Sequence, residues 1–174
     1  RVGQDLAADE GLHAAGLERS RALGKKPPAE YRTVFTCKAT SAELLWEALR
    51  SRSDAPPARI ISFSSVAGLF GNPGQTDYSS ANASLTGVMA TINRTEPRTA
   101  ALSIHWTGWD DIGMTASSPI RDLLRQRGVD LLPADKGARA TVALLGCDLR
   151  GEVLVAGRLG ELGAQPTPAR EHAP

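Results

Sequence analysis

Ser65, Tyr78 and Asn82 are the closest grouping in this sequence of side chains that could do chemistry together. Ser65 closes an apolar run, Ile60-Ile61-Ser62-Phe63-Ser64-Ser65, and a loop rich in Gly, Asn and Pro follows (Gly68, Gly71, Asn72, Pro73, Gly74). Tyr78 stands thirteen residues after Ser65, and Asn82 four after Tyr78. Four residues is one helical turn, so Tyr78 and Asn82 share a face. A phenol titrates near ~10 and is a proton donor at neutral pH. A cation that favours the phenolate turns it into a useful general acid. A hydroxyl beside it can hold the oxygen that takes the proton, and an amide can order water or backbone for proton relay. The plainer reading of Tyr78 is a core aromatic at a helix start. The cation is not local, because no Lys or Arg lies between Ile60 and Asn93.

The elements around these residues would bring them together. The run from Ile60 to Phe63, bounded by Pro56-Pro57 and Gly68, reads as a buried strand. From Thr76 to about Asn93, Tyr78, Ala81, Leu85, Val88 and Ile92 recur at helical spacing. Ligands of open α/β sheets sit beyond the carboxyl ends of the strands. A strand-end hydroxyl and a phenol in the next helix's first turn therefore face one crevice. Gly87 costs that helix ~1 kcal/mol against Ala, which points to close packing there. Upstream, residues 29–50 carry the stripe Tyr31, Val34, Lys38, Ala42, Leu45, Leu49. Lys38 falls in its middle. A lysine facing a core needs a partner or a task. The alternative is that it snorkels past small neighbours to the surface.

Further strands are expected at 11–15, 99–105 and 152–156, and helices at 120–126 and 133–147. Residues 110–129 are the candidate lid. Trp106 and Trp109, at the end of a strand, are either core aromatics or faces for cofactor and substrate. His13, far from His105 and His172, reads as structural. The basic, turn-rich stretch 17–28 reads as a solvated loop, and residues 1–10 as a loop or the end of a helix. Residues 163–174, rich in Pro and Ala, read as a linker or frayed tail. The fold class is α/β with a mainly parallel sheet of about four strands and helices on both sides.

Composition narrows the function classes. A chain of 174 residues can bury a sizeable core. Its 20 basic and 19 acidic residues nearly balance, so nothing points to nucleic acid or a membrane surface. No apolar run approaches the ~20 residues of a membrane span. Cys37 and Cys147 form neither a disulfide framework nor a metal spacing, and no metal site is expected. A reduced, cytoplasmic setting is the default. No G-x-G-x-x-G turn is present to receive a dinucleotide pyrophosphate.

Ser65, Tyr78 and Asn82, within FSSVAGLFGNPGQTDYSSAN, together with Lys38 on the preceding helix, resemble the active-site pattern of ketoreductase domains of type I polyketide synthases and polyunsaturated-fatty-acid-like synthases. These belong to the short-chain dehydrogenase/reductase superfamily. Most of that superfamily has Lys four residues after the Tyr and an Asn on an earlier helix. Polyketide-type ketoreductases exchange the two, as Asn82 and Lys38 do here. His13-Ala14-Ala15-Gly16 resembles the turn after the fourth strand. Ile104-His105-Trp106, Gly108-Trp109 and Gly113-Met114 resemble the segment leading into the substrate lid, and Glu152 to Ala156 the last strand. The resemblance covers roughly residues 11 to 162. The spacing of 27 residues from Lys38 to Ser65 is slightly longer than the family's, which a surface-loop insertion explains.

The resemblance implies a Rossmann-like, doubly wound fold whose amino-terminal, phosphate-binding half is not in this chain. Residues 1–162 would be the carboxyl-terminal catalytic part of the domain. It implies NADPH-dependent reduction of the β-keto group of an acyl chain on an acyl carrier protein, alongside neighbouring synthase domains. The catalytic set would be Lys38, Ser65, Tyr78 and Asn82. Ala14, Ala15, Gly16, Lys38, Tyr78 and Gly108 would bind cofactor. Phe70, Trp109, Gly113 and Met114 would face substrate or form the lid. Neither stereochemical fingerprint of the family is met: Glu18-Arg19-Ser20 replaces Leu-Asp-Asp, and Phe70 stands where one class has Trp. Two alternatives stay open: a free-standing reductase of a small ketone or acyl thioester, and an inactive structural remnant.

Overall fold

The computed structural model describes residues 10–51, 55–110, 112–115 and 119–164. Four parallel strands form one sheet in chain order: β1 (Glu10–His13), β2 (Arg59–Ser65), β3 (Ala100–Trp106) and β4 (Gly151–Val155). β3 lies between two neighbours and is buried along its whole length, as a strand covered on both faces must be. Register pairs Ile60 with Ala101 and Ile61 with Leu102. Successive side chains alternate faces, so each residue pair belongs to a different core.

On one face Ile60 and Ala101 pack with Ala42, Leu85, Met89 and Ile92. These come from α2 (Ser41–Ser51) and α4 (Thr76–Thr95). On the other face Ile61, Leu102, Ile104 and Trp106 pack with Trp109 and with Ala140, Leu144 and Leu145 of α6 (Ala134–Leu145). Arg59 ties that helix to the sheet. Its guanidinium donates to the carbonyls of Leu144 (3.0 Å) and Leu145 at the end of α6 and of Cys147 (2.7 Å) just beyond it.

The expected helix over 29–50 is three segments in line: α1 (Pro28–Phe35), a π turn (Thr36–Thr40) and α2. Pro28 opens it, where its missing N–H costs nothing. The lid region holds a 3-10 turn (Gly113–Thr115) and α5 (Pro119–Gln126). The readings of 1–9, of 52–54 in the connection before β2, and of the tail from 165 fall outside the described residues.

Three expectations are corrected. The loop expected from Gly68 begins instead with a short helix, α3 (Val66–Phe70), capped by Ser65. Gly87 has no close neighbour: it is exposed, and a Cβ there would meet nothing within 4 Å. The stretch 17–28 is not simply a solvated loop, because Lys26 is buried and paired with Asp77 at 2.7 Å. Among the described residues no helix is long and apolar enough to cross a membrane, and no cluster of His, Cys, Asp or Glu could hold a metal ion.

Candidate active site

Lys38 sits at the centre of the π turn, a local widening of the helix that often marks functional positions. It does not snorkel. The side chain is buried, and its Nζ donates to the carbonyls of Phe63 (2.8 Å) and Ala15 (3.2 Å). The same nitrogen lies 5.9 Å from the centroid of the Tyr78 ring. Burial disfavours the charged amine and draws its pKa down to about 8, with Cys37 opposing weakly. A group so placed titrates within reach of physiological pH.

Ser65 ends β2 and caps α3, its Oγ accepting from the Ala67 amide at 3.1 Å. The cap fixes the hydroxyl at the strand's carboxyl end. Tyr78 occupies the first turn of α4. Burial pushes its phenol upward. Hydrogen bonding by the side chains of Ser65 and Asn82 works against that shift, and the Glu18 charge adds to it. The phenol is therefore protonated at neutral pH and can donate. Asn82 is fully buried, and its Nδ2 donates to the Tyr78 carbonyl at 2.7 Å. Its Oδ1 is buried with no hydrogen-bond partner among the described residues, an orphan that calls for a ligand or water.

These side chains surround one cavity of about 450 Å³. Ala14, Gly16, Lys38, Ser65, Tyr78, Gly108, Trp109, Gly113 and Met114, all singled out from sequence, line it. Three others do not. Asn82 stands behind Tyr78, and Ala15 contributes its carbonyl to Lys38. Phe70 packs against the cluster of Val66, Leu124, Val129 and Leu162. At Gly16 a Cβ would come within 3.4 Å of Lys38 Nζ and 3.7 Å of Met114, so this glycine keeps the wall thin beside the amine. Trp106 and Trp109 meet edge to face, centroids 5.2 Å apart, and Phe63 lies 5.3 Å from Trp106. The two tryptophans are core aromatics that also line the cavity. Trp109 seats against Gly137, where a Cβ would meet its ring at 2.6 Å.

Sequence reasoning missed Glu18, Gln75, Thr107, Leu124 and Leu162 as wall residues. Their types are ordinary, and only the fold brings them to one place. It also missed Asp77. An acidic residue in a helix's first turn usually serves the helix dipole, but here it is fully buried against Lys26.

The family model described as KR domain matches residues 10–111, more than half of the chain. The chain belongs to the KR domain family. Its most similar curated relatives include polyketide synthase ThaG of Burkholderia thailandensis, 36% identical over 94% of this chain and 3% of that protein. Another is a polyunsaturated fatty acid synthase chain of Thraustochytrium, 29% identical over 83% of this chain and 5% of that protein. Among solved structures it resembles the ketoreductase from the first module of phoslactomycin biosynthesis in Streptomyces (27% identity, TM-score 0.72, 91% of this chain and 37% of that one). It also resembles a ketoreductase domain from the bacillaene assembly line (26% identity, TM-score 0.71, 89% and 38%). The chain thus spans a few per cent of the synthases and under two fifths of the ketoreductase structures. An archaeal alcohol dehydrogenase complexed with 5-hydroxy-NADP shares the fold at 15% identity and TM-score 0.69. This KR chain has the Rossmann-like architecture of the short-chain reductases, with Lys38 and Tyr78 side by side at its cavity.

Proposed function

We propose that this KR chain carries the proton-donating half of an NADPH-dependent reduction of a β-keto group, on an acyl chain borne by an acyl carrier protein. The observation that carries the reading is the buried Lys38 amine beside the Tyr78 ring, with Ser65 on the same cavity.

The residues present fit the nicotinamide-ribose end of such a cofactor. Gly16 leaves the wall thin beside Lys38, and the Phe63–Trp106–Trp109 cluster offers flat apolar surface. Lys38 is the one basic side chain among the described residues lining the cavity, so the phosphates would be held elsewhere. When bound, NADPH supplies the hydride that reduces the β-keto carbon.

The remaining work falls to the chain. Ser65 donates a hydrogen bond to the substrate carbonyl oxygen and holds it beside Tyr78. Tyr78 passes its proton to that oxygen as negative charge develops there. Lys38, in its charged form, stabilises the phenolate left behind and hydrogen-bonds the ribose. Asn82 fixes the first turn of α4 through the Tyr78 carbonyl and keeps one amide oxygen for a relay water. Ile112 and Met114, both exposed, give the rim an apolar surface for the acyl chain. Synthase-domain partners are supported by the relatives, synthases of which this chain covers only a few per cent; the carrier protein is the partner that an acyl-chain substrate would require.

The test is NADPH fluorescence titration of the protein that carries this segment, followed by turnover of a β-ketoacyl thioester. Binding with NADPH-dependent formation of the β-hydroxyacyl product supports the proposal. A folded protein that binds NADPH and leaves the thioester unreduced contradicts it.

A further inference from the structure

Lys26 and Asp77 form a fully enclosed charge pair outside the cavity. The Lys26 side chain is 1% exposed, and its Nζ lies 2.7 Å from Asp77 Oδ2, whose side chain is 0% exposed. Nζ also donates to the Arg19 carbonyl at 2.5 Å and to Glu30 Oε1 at 3.3 Å. Asp77 Oδ1 in turn accepts from the Tyr78 amide at 2.9 Å. One ammonium therefore joins three pieces of chain: the segment before it, α1, and the first turn of α4 next to Tyr78.

Burying two charges is costly, and a neutral pair of similar shape often serves stability as well or better. Stability alone is a poor reason for the pair. Its location suggests another. Arg19 follows Glu18, which lines the cavity. The segment is pinned a second time, just before α4, by Arg21 N–H donating to the Gly74 carbonyl at 2.7 Å. The wall bearing Glu18 and the helix turn bearing Tyr78 are thus fastened together through Lys26 and Asp77.

We infer that Lys26 and Asp77 are positioning residues for the reaction, holding the Tyr78 phenol and the Glu18 wall in register across the cavity. This rests on the ketoreductase reading of the cavity for its kinetic readout, but not for its structural one. An ångström of misplacement can cost about a hundredfold in rate, so the pair acts on turnover more than on binding.

The experiment compares Lys26→Met, Asp77→Asn and the double variant in the full protein. Lys26→Met strands a buried carboxylate and lowers both thermal stability and kcat. The double variant removes both charges. It recovers stability but keeps kcat depressed by about tenfold or more, with the KM for NADPH within about threefold of wild type. If kcat recovers together with stability, the pair only balances charge and the inference is overturned. Asp77→Asn, nearly isosteric, guards against a failure of Lys26→Met to fold. It is read by tryptic cleavage at the exposed Arg19 and Arg21, which speeds up if Asp77 holds the segment down. Unchanged cleavage overturns the inference even if the wild-type protein reduces no thioester, an outcome that would refute the ketoreductase reading separately.

Discussion

Gly68 on α3 and Asn82 on α4 meet with no room for a side chain between them. A Cβ on Gly68 would stand 2.8 Å from the Asn82 Cβ and 3.1 Å from the Ala83 nitrogen. The two helices approach this closely only because one of them presents bare backbone. The position of Tyr78, one turn before Asn82, depends on that approach.

Gly68→Ala follows from this contact. Helix propensity alone favours Ala by about 1 kcal/mol. Overpacking against backbone costs typically about 1–3 kcal/mol, and the obstacle is a helix that cannot rotate away like a side chain. The clash wins: thermal denaturation should show a lower Tm. Turnover should fall more than the lost stability explains, because α4 carries Tyr78. A variant as stable and as active as wild type would mean that α3 and α4 are less closely packed.

Gly87→Ala should do the opposite. The position is exposed within α4, with nothing near its missing Cβ. The substitution should stabilise by about 0.5–1 kcal/mol and leave kcat unchanged, since Gly87 is more than two turns beyond Tyr78. A rise in Tm of a few degrees checks it. Destabilisation would reveal a packed neighbour on this face.

The pH dependence should follow Lys38. Its amine is held at about 8 in the fold, below the usual 10.5. Above about 8 the folded protein loses the charge beside Tyr78, so kcat/KM of the free enzyme should fall through one proton there. Tyr78 itself is shifted upward and titrates later. For stability the sign is reversed. Between about 8 and 10.5 the unfolded chain keeps a proton that the fold has released, so this group favours folding increasingly as pH rises across that window. Lys38→Met should abolish the alkaline limb as well as most activity, and Cys37→Ser should keep it. A limb that survives Lys38→Met would belong to another group.

Much of this fold was legible in the sequence because its signals are local. The apolar run at Ile60, the helical recurrence from Tyr78 to Ile92, and Lys38 on the stripe of Val34 and Ala42 each report one element's own periodicity. The same locality explains the misses. Lys26 looked solvated because its partner, Asp77, lies 51 residues away, and only the docking of two segments buries both. Gly68 and Gly137 look like ordinary glycines until a second helix or the Trp109 ring is placed against them. Phe70 and Glu18 show the limit within the site itself. The wall of a cavity is assembled from loops, so spacing did not reveal that Glu18 faces it while Phe70 packs behind it.

Tyr78 as the proton donor beside the Lys38 amine is tested most directly by Tyr78→Phe in the protein carrying this segment. NADPH affinity and single-turnover reduction of a β-ketoacyl thioester would be measured on the same preparation. The expected variant is folded, keeps NADPH affinity within about threefold of wild type, and turns over about a hundredfold more slowly or worse. Turnover within a few-fold of wild type would show that the proton comes from elsewhere and that Tyr78 is only a wall of the cavity.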